Sequence, residues 1–91
     1  MTGQVLPIDT AQAYKITDLL LATGYKVQED KWYRLIYTKD NADTFIKEKI
    51  PKKHAYVYRI TRINNNTKQE TIYTKKMETK SLIKELKENL T

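Results

Sequence analysis

The chain has no cysteine, two glycines, two prolines and one histidine among its 91 residues. Without cysteine there is no disulfide framework and no thiolate metal site, which fits a reducing compartment. With a single histidine, His54, a His-based acid–base pair and a His metal cluster are both excluded. The two glycines, Gly3 and Gly24, belong to no phosphate-cradling motif, and no cofactor is implied. Long apolar runs are also missing: the longest aliphatic stretch, Leu19 to Ala22, is far too short to span a bilayer. The opening MTGQVLPID lacks the charged and apolar regions of a signal peptide, so a cytoplasmic protein without a membrane segment is expected.

What is present is charge and tyrosine. Hydrophobic residues make up 40% of the chain and charged residues 31%, the range of a folded globular domain, and the length leaves room for one core only. The net charge of +6 is unevenly placed. Residues 1–30 carry a balance of −2, residues 31–76 a balance of +8, and residues 77–91 are neutral. A basic middle points to a polyanion-facing surface more strongly than an even spread would.

In PIDTAQAYKITDLLLATGY, Asp9 is a helix cap with Gln12 three residues on, and Gly24 supplies the stop. Ala13, Ile16, Leu19 and Leu20 share one face at the helical period, so an amphipathic helix is expected over roughly residues 10–23. Tyr14 and Leu21 fall nearly opposite that stripe. Three segments read as strands from their aromatic and β-branched content: Lys31–Lys39, His54–Ile63 and Gln69–Lys76. NNNTK, residues 64–68, joins the last two as a hairpin loop. A second helix follows, capped by Thr79, with Leu82, Ile83, Leu86 and Leu90 in a stripe. DNADTFIKEKIPKK, residues 40–53, reads as a short helix or a structured loop. The expected fold is α+β: a three-stranded antiparallel sheet with the N- and C-terminal helices on one face.

Parity then says what the other face displays. Burying an unpaired Arg is costly, so Arg59 belongs outside. A five-residue loop pairing Ile63 with Gln69 would set Ile60 opposite Ile72 in the core and Arg59 opposite Tyr73 outside. Leu35 on the core side would leave Trp32 and Arg34 outside as well. The expected binding surface is therefore Trp32, Arg34, Arg59, Tyr73 and Lys75, extended by Lys52, Lys53 and Lys68 from the loops. Aromatic faces stack on bases at about 1–3 kcal/mol each while cations neutralise phosphates. The same residues also pack across strands in sheets that bind nothing.

The helix, three strands, helix order resembles the double-stranded-RNA-binding fold. His54 to Leu90 is similar to its second half, with an H-x-x-x-Y strand, an Asn turn and lysines at the last helix. The alanine-rich final helix and glycine-marked third strand of that family have no counterpart here. ITDLLLATGYKV, residues 16–27, resembles the opening of HicA-type messenger-RNA-cleaving toxins, but the histidine those toxins need is absent from EDKWYRLIY. Glu29–Lys31 has the E-x-K spacing of some metal-dependent nucleases, a triplet that arises by chance in so charged a chain. The functional expectation is a non-enzymatic nucleic-acid-binding accessory protein. The alternative is a protein–protein module: a phage or mobile-element inhibitor, a homodimer, or a small subunit of a larger complex. The excess of Lys over Arg, with much Ile, Asn and Tyr, resembles proteins of low-GC bacteria and their mobile elements.

Overall fold

Helix α1, Thr10–Ala22, begins where its sequence predicts. The Asp9 carboxylate accepts a hydrogen bond from the Gln12 amide at 2.9 Å, satisfying one free donor of the first turn. After the helix the chain turns at Gly24, whose φ of 102° lies where side chains are strained. The computed structural model describes residues 6–40, 42–53 and 55–90; His54, the expected first residue of the second strand, lies outside the described residues.

Along the chain between α1 and the last helix, the strands form one five-stranded antiparallel sheet in sequence order, in place of the expected three strands. Its strands are β1 (Lys26–Lys31), β2 (Arg34–Lys39), β3 (Asp43–Pro51), β4 (Tyr56–Asn64) and β5 (Glu70–Tyr73), and α2 (Lys76–Glu88) follows. The α+β class stands, but the α-β-β-β-β-β-α order departs from the double-stranded-RNA-binding arrangement.

Two segments account for the extra strands. Lys31–Lys39, expected as one strand, doubles back at Trp32–Tyr33, so that Lys31 pairs with Arg34. The preceding β1, KVQEDK, is an edge strand with a bulge between Val27 and Glu29. Charges and a bulge keep an edge from pairing with other chains, and they also make it read as loop. Residues 43–51, part of the segment expected as a short helix or a structured loop, form β3. There Lys47 and Lys49 take the same parity as Phe45, on the helix-covered side, and so hide the alternation that marks a strand.

Both helices cover the same face of the sheet. From that face Lys47 reaches Thr17 of α1, and Arg62 reaches Glu85 of α2. The helices run in the same direction: Asp9 and Lys76, at the two starts, form an ion pair at 3.1 Å, and Thr23 and Asn89, at the two ends, line one cavity. The sheet gives Tyr37, Phe45, Tyr58 and Ile60 to a core completed by Ile16, Leu20, Leu82 and Leu86. Each contributes about 1.5–3 kcal/mol by leaving water. Ile8 joins them, fixed by the Tyr58 amide donating to its carbonyl at 3.2 Å.

Helix α2 starts earlier than expected. The Glu78 carboxylate accepts from the Thr74 and Lys75 amides at 2.9 and 3.0 Å. Thr79, the expected cap, is buried inside the helix, its hydroxyl donating to the Lys76 carbonyl. Among the described residues, no helix is long and apolar enough to cross a membrane.

The β4–β5 hairpin closes one residue later than expected. Ile63 pairs with Glu70, Thr61 with Ile72 and Ile60 with Tyr73. The Asn64 side chain accepts from the Asn66 and Thr67 amides, and Lys68 at φ 65° turns the chain back. The loop therefore holds four residues, 65–68, and every β5 side chain is inverted from its expected face.

Candidate functional site

The expected surface is divided by this topology. Arg34 and Arg59 do lie on the open face, one on each side of Glu48 in the register of β2, β3 and β4. Both are engaged. Arg34 donates to Glu29 at 2.7 Å, and Arg59 donates to Glu48 through two nitrogens at 3.0 and 2.9 Å. The Arg34 partnership holds the Glu29 carboxyl below the usual carboxylate range. Glu29, the first member of the E-x-K triplet, thus serves as an ion-pair partner.

Tyr73 is turned the other way by the one-residue register change and packs against the core, leaving Ile72 to face outward. Trp32 is also absent from the open face, because the two-residue turn carries it to the sheet's end. Its ring packs on Tyr56, with centroids 6.1 Å apart, and near Lys49, both on helix-side parity. Lys75 is the residue before α2 instead of part of a strand. Lys68 stands at the opposite end of the sheet from Trp32. Lys52 and Lys53, in the β3–β4 connection, share Trp32's end.

That end holds the site the sequence reading missed. Trp32 is 69% exposed and meets the rings of Tyr33 and Tyr56 edge-on. Beneath it opens a cleft of ≈ 120 Å³ whose walls include Tyr14, Leu35, Lys47, Lys49 and Tyr58. Tyr14, off the apolar stripe of α1, finds its contact here.

Lys47 forms the floor, only 8% exposed. Its amine donates to the Thr17 hydroxyl at 3.1 Å and lies 5.2 Å from the Tyr14 ring centre and 5.8 Å from that of Tyr58. Burial, with repulsion from Lys49, pushes that amine below the usual lysine range. Lys31, Lys47, Lys49, Lys52 and Lys53 have no carboxylate within ion-pair distance among the described residues. Among the described residues, Asp30 is the one carboxylate lining the cleft. Both helices begin toward this end, adding the positive ends of their dipoles.

A second cluster lies at the far end. The Tyr25 hydroxyl and Arg62 both donate to Asp43, each at 3.1 Å, and Arg62 donates to Glu85 at 2.7 Å. Arg62 also lies 5.1 Å over the Phe45 ring. Burial, then the Asp43 charge, push the Tyr25 phenol well above its ordinary range. Burial works against the Arg62 charge, but Glu85 and Asp43 outweigh it, so the guanidinium holds its proton more firmly than usual. These groups satisfy one another, and they clamp β3, β4 and α2 together.

Comparison with known protein families, with curated proteins and with solved structures gave no match.

Proposed function

We propose that this chain is a non-enzymatic nucleic-acid-binding protein whose contact surface is the Trp32 corner, with a preference for single strands. The observation that carries the reading is an exposed Trp flanked by Tyr33 and Tyr56, with the Lys49 amine 5.3 Å from its ring centre, amid lysines that have no carboxylate partner among the described residues. Such rings stack on bases that are not already stacked in a duplex, and the lysines neutralise the phosphates on either side. The open sheet face fits this role less well than its arginines imply, since Arg34 and Arg59 would have to leave Glu29 and Glu48 to meet a phosphate.

Trp32 is the only tryptophan, so its fluorescence reports the corner alone. Titration with single- and double-stranded oligonucleotides should quench it, single strands binding more tightly. Affinity should fall steeply between about 50 and about 200 mM salt. Lys52→Glu with Lys53→Glu should weaken binding, and Arg59→Ala should leave it nearly unchanged. No binding to either form at low salt would overturn the reading.

A further inference from the structure

Among the described residues, nothing covers the face of the sheet turned away from the helices. Outward parity places Ile36, Ile46, Ile50, Val57, Ile63 and Ile72 there. The central row runs Glu29, Ile36, Ile46, Thr61, Ile72 across all five strands. Ile72, at the edge, is 52% exposed. Ile36, Ile46 and Ile72, with Ile63 beside them, form an apolar strip that the charged row Arg34–Glu48–Arg59 separates from Ile50 and Val57, and an exposed apolar strip of this kind marks an interaction surface.

From this strip we infer that two copies of the chain pack through it, forming a sandwich of two sheets with the helices outside. Three observations select a second copy. The first is charge. The chain carries +6, yet the charges toward the middle of this face close on themselves as Glu29–Arg34 and Glu48–Arg59 pairs. A polyanion gains little there, while two like-charged chains can approach through this face with their lysine-rich corners held at the rim.

The second is self-complementarity. A two-fold axis crossing the strands at the central row lays Ile36, Ile46, Thr61 and Ile72 on their own copies. It also brings Arg59 of one copy over Ile63 and beside Glu70 of the other. Flat aligned sheets pack in this way at about 10 Å separation.

The third is area. Five strands spaced at about 4.8 Å, and about six residues long at about 3.3 Å each, give a face of roughly 500 Å². Two such faces bury about 1,000 Å², the lower limit for a specific interface, so a weak, concentration-dependent dimer is expected.

Sedimentation equilibrium on the full chain tests this. The wild type should pass from monomer to dimer over about 1–200 µM, and the dimer should persist at high salt, where apolar contact is kept and like-charge repulsion is screened. Ile46→Lys should shift dissociation at least about tenfold. Because Ile46 sits in a central strand, Ile72→Lys at the edge gives a second test, and far-UV circular dichroism confirms that each variant is folded. A wild type that stays monomeric through about 200 µM overturns the proposal. So does a dimer that survives both substitutions, since another surface would then hold it.

Discussion

The Lys49 amine lies 5.3 Å from the ring centre of Trp32 and 5.1 Å from that of Tyr56. One cation shared by two rings fixes both without covering them, which is how a Trp can be positioned and still stand open to solvent. A ring placed for packing would be buried; this one is held at a corner. The distinction between holding and burying separates the effects of substitution at Trp32 on stability and on binding.

Trp32→Ala should therefore cost little stability, below about 1 kcal/mol, because the exposed ring gives up only edge contacts and a surface cation–π pair. Oligonucleotide affinity should fall by about tenfold or more, the share of one stacked base. Urea denaturation and a salt-controlled titration on the same preparation check both halves. A large stability loss with unchanged affinity would make the corner a packing feature.

Lys47 predicts a pH signature. Its folded-state pKa is lowered, so the unfolded chain binds more protons in the window between that value and about 10.5. Wild-type stability should rise with pH through this window as the penalty for burying the charge is relieved. Tyr25 and Tyr37, whose phenols are raised, act in the opposite sense above about pH 10. Asp18, Asp30 and Lys49 are the charges acting on Lys47. In Lys47→Met the rise should vanish, so the stability difference between variant and wild type should move toward the wild type as the pH rises toward about 10.5. Denaturant melts along that series measure it, and parallel curves would show that the amine does not titrate there.

Lys68 occupies the left-handed region at φ 65°. That conformation costs a residue with a side chain about 1 kcal/mol, so Lys68→Gly should stabilise the hairpin by about that amount. Lys68 is at the far end from Trp32, so binding should change by no more than about twofold despite the lost charge. Equal weakening by Lys68→Gly and Lys52→Ala would extend the interface over the whole sheet.

The sequence yielded the two helices, the single helix-covered face and the outward placement of Arg34 and Arg59, because each follows from one period or one desolvation cost. It hid the strand count. β1 is charged as an edge requires, the Trp32–Tyr33 turn carries no glycine, asparagine or aspartate to mark it, and Lys47 breaks the alternation of β3 by being a buried cation. The candidate site suffered most, since one residue of hairpin register decides between Tyr73 and Ile72. That register was set by the Asn64 side chain and the backbone of Lys68, neither of which a pattern of apolar residues reports. Lys47 and Lys49 facing Tyr58 and Tyr56 across two strands were the available signal, visible only once β3 is known to be a strand.

The Arg62 network predicts unequal costs at its two carboxylates. Asp43 is mostly buried and also receives the Tyr25 hydroxyl, while the Glu85 side chain is half exposed. Arg62→Met keeps a chain of similar length over Phe45 but, among the described residues, leaves Asp43 with Tyr25 alone as a side-chain partner. The expected loss is about 2 kcal/mol, less than for a fully buried pair because the side chains retain some water. Glu85→Gln should cost about 0.5 kcal/mol, since water replaces the lost charge and Arg62 keeps Asp43. In Arg62→Met the phenol of Tyr25 loses a cation that favours its ionised form, so alkaline unfolding should begin at lower pH than in the wild type. Thermal melts of both variants, with ultraviolet titration of tyrosine ionisation, test the scheme. Equal destabilisation by the two substitutions would place the clamp's strength in the contact between β4 and α2, with Asp43 contributing nothing.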